Sequence, residues 1–279
     1  MVDRTKMLAG EPATEQCFVV DDVNFLNSAD VDGTTPPAPG APNIVMATGG
    51  AQLRQVFEDA GIYVWAFHVD WARPEQSRLV GPDRIDVAPY RYLCDGQLTH
   101  CVPQPGTDRG LDAQGDKIMS RLVYRRIGDR EAVVAVHSVN TTAGGGVRWY
   151  EFVIDANRRV RLAQQGTYAP DGAFRWMASP ALDRAGNLVV GYSFGAPDRF
   201  VGQRIAARLA DDPPGVLTLG ELVLVEGEAA QEAMRWQDYT QTAVDPDDDC
   251  TIWYVGDYLR KGAEQYTSRI GAVRLPGCP

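Results

Sequence analysis

The sequence predicts an all-β repeat protein, a β-propeller of four-stranded antiparallel blades, with four blades recognisable and a fifth expected. Three observations carry this. Short runs rich in Val, Ile, Tyr and Trp are separated by Gly, Asp, Asn and Pro, the pattern of strands joined by turns. Helical periodicity is confined to residues 52–60. A strand–turn–strand unit recurs at a spacing of tens of residues, which marks a repeat architecture.

The units follow in chain order. Val64-Trp-Ala-Phe-His68-Val-Asp-Trp71 is a divergent copy of a second strand. Arg121-Leu-Val-Tyr124-Arg-Arg-Ile-Gly128-Asp129 turns into Ala-Val-Val-Ala-Val-His137. Ser179-Pro-Ala-Leu-Asp183 leads through Gly186-Asn187 to Leu-Val-Val-Gly-Tyr192, and Thr242-Ala-Val-Asp245 leads to Cys250-Thr-Ile-Trp-Tyr254. In the last two, an Asp closing the first strand is placed to accept hydrogen bonds from turn amides. Aligned second strands put His68, His137, Tyr192 and Tyr254 in equivalent places, with spacings of 69, 55 and 62 residues. Third strands are expected at 147–154, 201–209 and 266–275, and fourth strands at 160–166 and 217–225.

The last unit therefore lacks an outer strand. Residues 1–60 form an N-terminal segment expected to supply a ring-closing strand (Cys17 to Asp21 or Asn43 to Ala47) or a partial blade. Residues 61–279 form the blades, with an inserted loop at about 74–114 that contains a strand near Arg84. Residues 27–43, rich in Pro, Gly, Asp and Thr, read as extended and irregular.

Composition narrows the function. With 27 basic against 37 acidic residues the net charge is −10, which repels phosphate and argues against nucleic acid and anionic membrane surfaces. No apolar run spans a bilayer. Cys94 and Cys101 bracket a short loop, and Cys250 and Cys278 are spaced to staple the C-terminus, so disulfides and a secreted or periplasmic location are expected. Cys17 is left over, as a buried thiol or one whose partner lies elsewhere.

The run Arg235-Trp236-Gln-Asp238-Tyr239-Thr, followed by Asp245-Pro-Asp-Asp-Asp249-Cys250-Thr-Ile-Trp253-Tyr254, resembles a signature of exported bacterial, sialidase-like β-propeller proteins, R-W-G-D-Y-S…D-P-x-D-D-C-T-F-W-Y. Val147-Arg148-Trp149-Tyr150-Glu151, Gln164-Gln165-Gly166-Thr167-Tyr168 and Arg175-Trp176-Met177 match further parts of it, as does Cys101-Val-Pro-Gln-Pro-Gly-Thr107. The resemblance implies a propeller and export, and carries no assigned chemistry. Gln237 stands where that family has Gly. The family's chains begin earlier, so the resemblance implies a C-terminal portion, to be completed by an N-terminal segment or a second chain, or else a shortened relative.

Candidate site residues come from the Arg-Trp doublets, which occur three times: Arg148-Trp149, Arg175-Trp176 and Arg235-Trp236. Arg175 and Arg235 converging at a channel rim would bind an acidic group bidentately, with Trp176 and Trp236 as stacking surfaces for sugar rings. Asp238 and Tyr239 are the catalytic candidates, as acid/base and as nucleophile or hydrogen bonder, with His137. His68, Tyr192 and Tyr254 would complete the substrate site. No catalytic metal or cofactor is expected; Asp245, Asp247 and Asp249 form a turn cluster of the oxygen type that structural Ca²⁺ takes. Two functions follow. One is a carbohydrate-active enzyme, a sialidase-like glycoside hydrolase or a lyase acting on an acidic glycan. The other is a non-catalytic module that binds glycan or protein over one face.

Overall fold

In the computed structural model, which describes residues 1–119 and 121–278, strands dominate. They are β1 (Asn27–Asp32), β2 (Asn43–Gly49), β3 (Gly61–His68), β4 (Arg78–Ile85), β5 (Leu122–Ile127), β6 (Arg130–Asn140), β7 (Gly145–Ile154), β8 (Val160–Tyr168), β9 (Phe174–Leu182), β10 (Leu188–Ala196), β11 (Arg199–Arg208), β12 (Glu221–Val225), β13 (Gln241–Val244), β14 (Ile252–Tyr258) and β15 (Thr267–Val273). The α-helix among the described residues is the single turn α1 (Arg4–Leu8), capped by Asp3. Residues 52–60 are turns and bends instead of the expected helix. Phe57 stacks on Tyr63 at 4.0 Å and its amide bonds Asp22, so tertiary contacts override the local pattern.

Four antiparallel meanders appear where the repeat placed them, but they are not uniform. β5–β8 and β9–β12 have four strands, whereas β2–β4 and β13–β15 have three. β1 pairs antiparallel with β2 and parallel with β5, so the first two meanders fuse into one eight-stranded sheet. Residues 1–60 thus supply β1 and β2 to that sheet; neither they nor the Cys17 segment pairs with β13–β15. The expected loop at 74–114 contains β4, which pairs with β3 over Arg78–Ile85, earlier than the strand expected near Arg84.

Middle strands are buried on both faces, which explains their unbroken apolar runs. Side chains alternate across a strand. On β6, Ala132, Val134 and Val136 join the core that holds Trp176, Leu182 and Val190, while Val133 and Ala135 join the core that holds Ile44, Met46 and Val64. Likewise Val189 and Ala181 face Ile252 and Tyr254 of the last sheet. The sheets therefore stack in chain order.

The register supports the repeat. His68 faces Arg78, His137 faces Arg148 and Tyr192 faces Arg204, each an aromatic on a second strand opposite an arginine on the third. Tyr254 faces Gly271 instead. Its ring covers Gly191, where a Cβ would lie 2.2 Å away, so only glycine fits that contact. Asp183 accepts from the Ala185 and Asn187 amides, as the turn pattern required.

First and last sheets meet through side chains. The buried Arg121 guanidinium bonds Asp32 and Asp30 of β1 and, at 2.8 Å, the Thr242 carbonyl of β13. Arg125 of β5 lies 2.8 Å from Asp249 in the β13–β14 turn. Disulfides join Cys94 to Cys101 and Cys250 to Cys278. Cys17 is free and exposed, not buried. No helix among the described residues is long and apolar enough to cross a membrane.

Removing one partner of a buried ion pair strands the other charge. Arg121→Ala is expected to cost about 3 kcal/mol, read as a lower urea midpoint at unchanged m-value. A midpoint equal to wild type would show that the sheets do not depend on this link.

Candidate functional site

The site grows from a segment that belongs to no strand. Residues 111–119 are buried along their whole length. They are anchored by Leu111 amide and carbonyl bonds to Val102, by Ala113 to Leu98, and by Met119 to Val136. A buried segment without a ladder must satisfy its polar groups through side chains. Asn24 donates to Asp116 at 2.7 Å. Lys117 pairs with Asp116 and donates to Gln114 at 2.7 Å, and Gln114 donates to Asp112 at 3.1 Å.

Asp112 continues the chain to the segment before β13. Its carboxylate, wholly buried, lies 3.0 Å from Arg235 Nη1, while Arg235 Nη2 bonds Asp238. Burial raises the Asp112 carboxyl above its ordinary range, against the hydrogen bonds from Gln114 and the Arg235 charge. Arg235 side-chain exposure is 58%, that of Asp238 is 35%, and Tyr239 is 41% exposed. The three form a surface patch of cation, carboxylate and phenol. Burial and the Asp238, Asp116 and Asp112 charges raise the Tyr239 phenol. It stays protonated near neutral pH, so it donates a hydrogen bond and is not a ready nucleophile. The segment is pinned on both sides. Gln231 bonds Gln104, Trp236 and Gln237 donate to Ser193 Oγ, and Thr240 donates to the Met177 carbonyl.

The remaining expected residues go elsewhere. Trp176 and Trp236 lie side by side in the core, 6.3 Å apart, with indole N–H groups bonded to the Asp112 carbonyl and to Ser193. They offer no face to a sugar, because packing between sheets takes both rings. Arg175 is fully buried and held by Asp171 (2.7 and 3.0 Å) and Glu221 (2.7 and 3.1 Å). Arg148 bonds Thr167 and the Ala88 carbonyl. The arginines therefore do not converge on a common ligand; each neutralises or satisfies a neighbour. Tyr192 is buried against Glu221 at 2.8 Å, and Tyr254 against Gln203 at 2.6 Å.

The two histidines do not share a cavity. His137 is fully buried, bonded to the Tyr150 hydroxyl at 2.8 Å and pushed down to about 3 by burial and by Arg148, so it is a neutral core residue. Tyr90, whose ring packs on His137, bonds the Gly61 carbonyl at the start of β3. His68 closes the far end of the same strand, roughly 20 Å away at a strand's rise. There it lines a groove of about 520 Å³ with Ile44, Val80 and Arg159, and burial with Arg78 lowers its pKa.

In the aspartate turn, expected as a calcium cluster, three of the carboxylates hold the protein itself. Asp245 accepts from the Asp247 amide and the Trp253 indole, Asp248 from the Cys250 and Thr251 amides, and Asp249 faces Arg125. Among the described residues no cluster of three or more His, Cys, Asp or Glu is arranged to hold a metal ion. Asp112, Asp116 and Lys117 are the residues that sequence reasoning missed. Their signal was faint, apolar Leu111, Ala113, Ile118 and Met119 interleaved with charge in a stretch of no strand periodicity.

No family model matches the sequence, and no curated protein matches it. Among solved structures, an α-L-arabinofuranosidase from Fusarium graminearum with an iminosugar inhibitor matches 91% of this chain and 77% of that one. The identity is 12% and the TM-score 0.35, a likeness that transfers neither residue nor activity.

The Arg175 cluster makes an acid-limb prediction. Hydrogen bonds from Arg175 hold Asp171 down to about 2. A carboxyl lowered on folding stabilises above its ordinary range and loses that contribution as pH falls toward its folded value. Asp171→Asn should therefore lower Tm at neutral pH and flatten its decline between about pH 4 and pH 2. Parallel Tm curves for the two proteins would refute the assignment.

Proposed function

We propose that the chain is an exported, propeller-like protein that hydrolyses glycosidic bonds at the Arg235–Asp238–Tyr239 patch. One observation carries the reading. Two carboxylates, one buried with a raised pKa and one partly exposed, meet on a single guanidinium beside an exposed phenol.

The roles follow from exposure. As the glycosidic C–O bond breaks, Asp238, which solvent reaches, gives a proton to the departing oxygen and recovers one from the water that adds to the anomeric carbon. Arg235 holds it in place and Asp112 holds Arg235 from beneath. Tyr239 donates its phenolic proton to a substrate oxygen and presents its ring to the sugar. The two disulfides support an oxidising setting.

A second reading, a glycan-binding module without turnover, is favoured by the complete burial of the Asp112 side chain, which leaves one accessible carboxylate. A hydrolysis screen on purified protein separates them. Asp238→Asn is expected to lower kcat about 10²- to 10⁴-fold with Tm unchanged. Glycan binding with no turnover in wild type would establish the module instead.

A further inference from the structure

We infer that the sugar unit held at Arg235, Asp238 and Tyr239 carries no negative charge. This rests on the glycan reading above and narrows it. Recognition of a uronate, sialate or sulfate takes a guanidinium or ammonium whose charge the protein has not already answered, because the anion is held by charge-assisted hydrogen bonds. Each cation around this patch is already paired with carboxylates of the protein itself.

Arg235, the accessible one, has Nη1 on Asp112 and Nη2 on Asp238. Lys117 is buried, with its ammonium on Asp116 and Gln114 and over the Phe25 ring. Arg175 is closed off by Asp171 and Glu221. Across the patch and the chain beneath it, Asp112, Asp116 and Asp238 stand against Arg235 and Lys117, an excess of one carboxylate in a protein of net charge −10. A further anion would enter a field of its own sign.

What the patch offers suits an uncharged sugar. Asp238 accepts from a hydroxyl, the Tyr239 phenol donates to one, and the exposed part of its ring can lie against the C–H face of a pyranose or furanose. Planar polar groups around one aromatic ring pair with neighbouring hydroxyls without needing a formal charge on the ligand.

The test is a glycan array and a polysaccharide hydrolysis panel on the full chain, each holding neutral, uronate, sialylated and sulfated members. Neutral glycans are expected to bind or react at least tenfold better than acidic ones. Asp238→Ser releases Arg235 Nη2, so neutral binding should fall while uronate binding rises at least threefold. A purely structural role for Asp238 would not produce that crossing. Acidic glycans preferred by wild type, with affinity falling as salt rises, would overturn this inference and leave hydrolysis standing. Neutral glycans bound without turnover would remove hydrolysis and uphold it. No glycan bound or cleaved removes both.

Discussion

The buried Lys117–Asp116 pair, tied through Gln114 to Asp112 and on to Arg235, is the constraint around which the molecule is assembled. Residues 111–119 run through the core with no strand partner, so each polar group there is costly unless it is met. The answers come from distant places: Asn24 before β1, Trp176 on β9, and Arg235 before β13. One short segment thereby sets the mutual placement of the three sheets. The exposed Arg235–Asp238–Tyr239 patch is the outer end of this chain of contacts, held from below by Asp112.

Charge is managed the same way throughout. Glu221 takes Arg175 and Arg204 together with the Tyr192 hydroxyl, and the Arg204 guanidinium lies 3.3 Å from the Phe194 ring centre. Arg121 gathers Asp30 and Asp32 and reaches across to β13. Arginine suits this work because its planar fork satisfies several acceptors at once and tolerates burial better than lysine. In a stack of sheets whose middle strands are covered on both faces, such clusters act as polar rivets between apolar layers. Arginines used this way are unavailable to a ligand, which is why abundance of Arg-Trp doublets does not mean a binding site.

Much of the fold was legible in the sequence because its causes are local. Two-residue alternation, turn residues such as Asp183 and Gly186, and apolar runs such as 132–136 are properties of neighbouring residues, and they located the meanders closely. Cysteine spacing likewise anticipated both disulfides. The parallel β1–β5 seam left no such mark. A parallel pair joins residues far apart in sequence, and its register depends on what else is packed against it.

For the site the division is sharper. Residue type singled out Asp238, Tyr239 and Arg235, and the structure does bring them together at the surface. Residue type also singled out Arg175, Trp176, Trp236, Tyr192, Tyr254 and His137, all of which are interior. An arginine reads alike whether it faces a ligand or a buried glutamate; only the acceptor across the sheet decides, and Glu221 lies 46 residues from Arg175. The sequence by itself determined most strands of the meanders, their turns and the cysteine pairs, since these obey short-range rules of backbone and spacing, but not β1 or the placement of β4. Tertiary structure alone decided which polar side chains are spent inside and which face water, because that outcome depends on partners brought near only by folding.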